Sequence, residues 1–213
     1  MSFDLWAAFV IASCILLIIP GPTILTVISY SVTHGKRANI PLVTAVALGD
    51  SAALLLSLFG LGLLLATSAW MFTILKWAGG LYLIYLGIKL LRSREPSLET
   101  VNVERIDSNW KLFFNTWLVT ALNPKGITFF IAFMPQFIDP SSNVSSQLWI
   151  LSVTFVVLAT ISTSFYAVFA SRARQLLISP KAFSRFNLAG GSLLVIAGIL
   201  ALTAEKPSQR YGV

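Results

Sequence analysis

Two opposite charges stand alone inside long apolar runs. Asp50 lies in "ALGDSAALLLS" and Lys125 in "NPKG", residues 123–126. A cation at the centre of a membrane helix costs roughly 2.5–3.5 kcal/mol. Both residues are therefore expected to face a bundle interior or a wet cleft, with each as the other's partner. Such a couple can act in two ways: as a static salt bridge between two helices, or as a pair that trades a proton for bound substrate. A second kind of signal lies in "LLIIPGPTILTVISY", residues 16–30, where two prolines and a glycine interrupt an apolar run. Proline lacks a backbone donor and frees carbonyls of the preceding turn, and in hydrocarbon those groups need partners. One half-helix is expected to end near Ile19 with bare carbonyls, and the next to start near Pro22 with free, partly positive N–H groups. Thr23 and Thr26 add hydroxyls. Carbonyls suit an ammonium and N–H groups suit a carboxylate, so the break fits a zwitterion; the alternative is a plain kink. Asn123-Pro124 makes a second break, with Asn123 able to donate and accept; its alternative is a helix stop. The candidate substrate-binding set is Pro20, Gly21, Pro22, Thr23, Thr26, Asn123 and Pro124, and the candidate ion-coupling set is Asp50 and Lys125.

The elements that must position these residues follow from composition. Of 213 residues, 56% are hydrophobic and 11% charged, less than half the roughly 25% charge of a soluble domain. Charges cluster and leave gaps about as long as a spanning helix, roughly 20 residues. This is the pattern of an integral membrane protein with one compact bundle and no separate soluble domain. The net charge of +7 does not point to nucleic acid, because the basic residues sit at the ends of apolar runs. Cys14 is the single cysteine and His34 the single histidine. That excludes an intrachain disulfide and argues against a metal centre or a Ser-His or Cys-His pair, so no catalytic residue is assigned. The start, "MSFDLWAAF", has Asp4 where a signal peptide has basic residues, and the apolar run continues past the prolines. The first segment is expected to be retained and to span.

Six apolar segments are expected: about 5–30, 42–66, 70–91, 112–138, 147–170 and 187–204. Lys36 and Arg37 follow the first; Lys89, Arg92, Arg94, Arg105 and Lys111 follow the third; Arg172, Arg174, Lys181 and Arg185 follow the fifth. The connections after segments two and four carry no Lys or Arg, and Lys206 and Arg210 follow segment six. The bias places the odd-numbered loops in the cytoplasm and both termini outside. A five-span alternative would need one re-entrant segment and would flip the ends. "WAGGLYLIYLG" at 77–87 matches "LAGGSLLVIAG" at 188–198 without a gap, and "PGP" at 20–22 has a counterpart in "NPK" at 123–125. Two copies of an odd-span unit must insert in opposite senses, the inverted repeat of many secondary transporters. The expected fold is all-α: one domain, 1–213, with six transmembrane helices as two inverted three-helix repeats. Repeat one is about 1–91, a cytoplasmic loop about 92–111, and repeat two about 112–204.

Other residues read as structural. Glycines 79, 80, 87, 190, 191 and 198 are expected to let helices approach closely. Tyr82, Tyr85 and Tyr166 are expected to pack or to anchor at the interface, Lys76 to snorkel, and His34 to lie in a loop.

"PGP" in the first segment, "LGD" in the second, "AGGLYLIYLG" in the third and "NPKG" in the fourth together resemble the LysE/RhtB family of amino-acid exporters over nearly the whole chain. The resemblance implies efflux of amino acids or their derivatives through the bacterial inner membrane, driven by proton antiport, without a cofactor. Members are often treated as oligomers. It points to Pro20, Gly21, Pro22, Asp50, Asn123, Pro124 and Lys125. Where many relatives carry Asn after Gly-Pro, this chain has Thr23. A site with one deep acid, already faced by a lysine, favours neutral or hydroxylated substrates such as threonine or homoserine. The competing readings are a passive channel or facilitator for small solutes, and an intramembrane enzyme, which lacks a nucleophile–base pair.

Overall fold

The computed structural model describes residues 1–67, 108–139, 141–170 and 180–203, together with Arg172 and part of the stretch 77–92. The described residues are helical, with no strand among them. Helix α1 (Phe3–Ile18) opens under Ser2, whose hydroxyl accepts from the Leu5 N–H, and Asp4 in its first turn suits the positive end. A short extended break leads into α2 (Pro22–His34), with proline at its first position, where a missing donor costs nothing. Gly35, at φ 65°, turns the chain through a 3₁₀ segment, Gly35–Ala38, into α3 (Asn39–Thr67). Helix α4 (Asn109–Ala121) ends at a second break. Beyond it, α5 (Pro124–Thr128) runs on through a π turn, Phe129–Phe133, and a 3₁₀ turn, Met134–Phe137. Helix α6 (Val144–Val168) is capped by Asn143, which accepts from the Ser146 N–H, and α7 (Pro180–Thr203) follows.

Among the described residues, three helical stretches suffice by length and composition to cross a membrane: Pro22–Phe59, Asn109–Phe137 and Val144–Val168. Their outer faces fit a lipid surface, with Phe59 72% and Trp149 64% exposed. The chain is a membrane protein. Six spans were expected. The third, with Tyr82, Lys76 and Gly79, lies largely outside the described residues, as does most of the loop 92–111. Helix α7 runs from Pro180, seven residues before the expected 187. His34 is not a loop residue. It is the last residue of α2, its Nδ1 3.1 Å from the Tyr30 carbonyl and its ring edge-on to Tyr30.

Contacts fix the helix directions. Trp6 Nε1 donates to Thr154 Oγ1 at 3.2 Å, and Tyr166 OH donates to the Ile18 carbonyl, so α1 and α6 run the same way. Leu42 and Val46 cluster with Leu112, and further on Ala53 and Leu54 cluster with Phe129 and Phe130. Helices α3 and α4–α5 are therefore parallel to each other. Asp139 meets Gln147 through two backbone-to-side-chain hydrogen bonds, turning the chain into an antiparallel α6. The core has two apolar halves. At the α1 start, Phe9, Phe129, Phe130 and Phe155 are fully buried, with Phe130 and Phe155 edge-on at 4.8 Å. At the other end Val27, Leu42, Leu112 and Ala167 close the bundle.

Glycine sets the closest approaches. A Cβ on Gly49 would lie 2.7 Å from Thr120 Cβ and 3.1 Å from the Trp117 carbonyl oxygen, so the α3 backbone packs directly on the Thr120 side chain of α4. A Cβ on Gly87 would lie 2.6 Å from the Gly191 carbonyl, and one on Gly198 2.7 Å from the Gly80 carbonyl. The close packing expected of these glycines is present at Gly80, Gly87, Gly191 and Gly198. Gly49→Ala is expected to destabilise the bundle by about 1–3 kcal/mol through overpacking. Gly126→Ala, whose Cβ would meet only the Phe130 ring at 3.7 Å, should change stability little. Unfolding titrations of both variants in mixed micelles check the contrast.

Candidate functional site

The two prolines of the first break each orphan one carbonyl. In a continuous helix the Leu16 carbonyl would accept from residue 20 and the Ile18 carbonyl from residue 22; both are proline and have no N–H. The structure supplies a substitute for each. Lys125 Nζ donates to the Leu16 carbonyl at 2.5 Å and to the Ile19 carbonyl at 2.6 Å. Tyr166 OH donates to the Ile18 carbonyl at 2.8 Å. The bare carbonyl end expected of the first half-helix is thus already occupied by side chains, and Tyr166 does more than pack.

The second break is closed differently. The Thr120 carbonyl, which Pro124 cannot serve, accepts from the Asn123 N–H at 3.1 Å. Asn123 caps α5, its Oδ1 accepting from the Lys125 N–H at 3.1 Å, and its Nδ2 donates to Thr23 Oγ1 at 3.0 Å. One asparagine therefore ties the start of α5 to the start of α2. The α2 start has no side-chain cap of its own, because Gly21 occupies the cap position. Gly21 also keeps the way clear for the lysine: a Cβ there would lie 3.2 Å from Lys125 Cδ.

These groups line a half-open cavity of about 40 Å³, room for a few waters and less than an amino acid needs. Gly21, Thr23, Asn123, Lys125 and Asp50 give it polar walls; Val46, Ile24, Phe155 and Ala159 give it apolar ones, and Thr163 adds a hydroxyl from α6. Asp50 and Lys125 act on each other electrostatically across this space. The sequence suggested a direct ion pair. The lysine instead bonds carbonyl oxygens, because the orphaned carbonyls lie at the end of its stem. Asp139, the other acid near a span, is half-buried in the loop before α6. Hydrogen bonds from the Ser141 hydroxyl and N–H, and from the Ser142 hydroxyl, hold its carboxyl below the usual carboxylate range. It takes no part in the cavity.

Of the expected site residues, Gly21, Thr23, Asn123, Asp50 and Lys125 line one space. Pro20, Pro22 and Pro124 do not line it and act through the backbone they interrupt. Thr26, one turn beyond Thr23, does not reach it. Thr163 and the apolar wall were not anticipated. A polar residue in the fifth segment was the one available signal for Thr163; Val46, Phe155 and Ala159 look like any core residue.

The LysE type translocator family model matches residues 14–205. The chain belongs to the LysE family. The homoserine/homoserine lactone efflux protein of Salmonella typhimurium is 33% identical over 205 residues, covering 96% of this chain and 99% of that protein. An uncharacterized membrane protein of Vibrio cholerae is 31% identical, covering 96% and 100%. A leucine efflux protein of an Enterobacter species is 28% identical over 158 residues, covering 74% and 75%. No solved structure matches. The LysE-type chain is a transporter and not an enzyme.

The two bonds of Asn123 can be separated. Asn123→Ala removes the α5 cap, worth about 0.5–2 kcal/mol, together with the bond to Thr23. Thr23→Val removes only the latter, worth about 0.5–1.5 kcal/mol. Asn123→Ala is expected to be the more destabilising in a micelle unfolding titration.

Proposed function

We propose that this translocator exports small neutral or hydroxylated amino acids, of the threonine and homoserine kind, from the bacterial cytoplasm across the inner membrane by proton antiport. The reading rests on one observation: the uncapped start of α2, the Lys125 ammonium and the Asp50 carboxylate share one cavity at the level of two helix breaks. A substrate carboxylate suits the α2 start, where free N–H groups and the helix dipole favour an anion. The short apolar wall of Val46, Ile24 and Ala159, with the Thr163 hydroxyl, suits a small side chain with or without a hydroxyl. The efflux proteins among the relatives support the same class of substrate.

Two features support six spans arranged as inverted repeats. First, α3 and α4 are parallel, so the chain must return to its starting side between them. Second, corresponding residues make reciprocal contacts. Setting Pro22 against Pro124 pairs Gly21 with Asn123 and Thr23 with Lys125. Gly21 packs on Lys125 while Asn123 bonds Thr23. Setting 77–87 against 188–198 pairs Gly80 with Gly191 and Gly87 with Gly198. Gly80 meets Gly198 while Gly87 meets Gly191. Contacts of the form i with j′ and j with i′ are what a two-fold relation between copies produces.

Apolar clusters flank the small cavity on both sides, which favours a gated carrier over an open channel. In proteoliposomes with a pH gradient, uphill homoserine flux is expected and should collapse with a protonophore. Asp50→Asn should reduce it to the leak of empty vesicles. Undiminished pH-driven flux in a well-inserted Asp50→Asn protein would falsify the antiport reading.

A further inference from the structure

We propose that the Leu16 and Ile19 carbonyl oxygens form a primary-ammonium subsite, that Lys125 is its resting occupant, and that the substrate's own ammonium takes its place. The carbonyls lie on the last turn before the break and converge on one nitrogen, 2.5 and 2.6 Å away. One is orphaned by Pro20 and the other belongs to the residue that ends the helix. Both acceptors are backbone and neutral, so what they recognise is a cation with N–H donors, not a lysine stem. The stem comes from a residue 109 positions away in the sequence and passes over Gly21, where a side chain would crowd it.

Three observations favour a replaceable occupant over a permanent brace. The adjoining cavity of about 40 Å³ does not hold an amino acid while the lysine head fills its edge, and withdrawal of that head makes room at the point where a substrate ammonium is needed. A displaced Lys125 has a partner waiting, because Asp50 lines the same cavity and attracts it. The α2 start, two residues past Ile19 and without a side-chain cap, stands ready for the carboxylate of the same molecule. A zwitterion can thus reach carbonyls with one end and N–H groups with the other, while Lys125 moves from carbonyl to carboxylate. The Lys125 ammonium has acceptors at both stages. The exchange step rests on the reading of this cavity as the substrate site; the ammonium subsite does not.

Two measurements test the two parts. Purified Lys125→Ala and Lys125→Met proteins, the latter keeping most of the stem volume should alanine prevent folding, are titrated with methylammonium chloride. Tetramethylammonium chloride, equal in charge but without N–H donors, is the control. A saturable rise in Tm of about 3 °C or more is expected for the variants with methylammonium alone, and none for the wild type, whose subsite is filled. No rise in either folded variant, or an equal rise in the wild type, overturns the subsite. In wild-type vesicles, counterflow of homoserine is then compared with that of 2,4-dihydroxybutyrate, which has a hydroxyl in place of the ammonium. Exchange of homoserine at least about tenfold faster, equivalent to about 1.4 kcal/mol, is expected. Equal exchange overturns displacement and leaves export standing. A methylammonium shift without any homoserine flux overturns the export reading and leaves the subsite standing.

Discussion

A proline in a membrane helix creates a debt in hydrogen bonds that only protein can settle, since hydrocarbon offers no donor. Everything around the first break follows from that constraint. Pro20 orphans the Leu16 carbonyl and Pro22 the Ile18 carbonyl, and two side chains from other helices answer them: Lys125 from α5 and Tyr166 from α6. The break in one helix thus dictates which helices must be its neighbours. The same contacts carry a lysine into the interior and satisfy it there without a direct acid partner. A cleft with polar walls is a by-product of this repair, framed by the groups that performed it.

The repair is local, and the bundle around it is not permissive. Gly49 lets α3 approach α4 until backbone meets side chain, which brings Asp50, the next residue, to the cavity wall. Phe129, Phe130 and Phe155 pack edge to face above the cavity, and the cluster around Leu42 and Leu112 packs below it. Polar groups are confined to the layer between. The shape of the site is therefore fixed by apolar packing on either side, while its chemistry comes from the broken backbone.

How much of this was legible depends on the residue type. The interruptions at 19–21 and 122–123 could be read directly, because proline chemistry does not depend on context. Asp50 and Lys125 stood out because a lone charge in an apolar run has few places to go. The direct hydrogen-bond partners of Lys125 were not legible: side chains suggest pairs by opposite charge, whereas the acceptors that hold Lys125 are backbone carbonyls, identical at every position until a proline frees one. The bond from Tyr166 to the Ile18 carbonyl leaves no mark in the sequence for the same reason. Val46, Phe155 and Ala159 carry no mark in the sequence that separates a cavity wall from a core. His34 was placed in a loop because it follows the apolar run; the helix continues to it, and Gly35 makes the turn.

The π turn at Phe129–Phe133 has a geometric consequence for the helix that carries Lys125. A π turn holds one residue more than an α-helix would use, so each side chain beyond it is rotated by about 100° from where an unbroken helix would put it. Beyond the turn, Phe137 packs on Phe9 at 5.4 Å and on Phe133 at 5.1 Å. Deleting a single residue here would turn Phe137 away from Phe9 on α1, while Asn123, Pro124 and Lys125, on the near side of the bulge, kept their places.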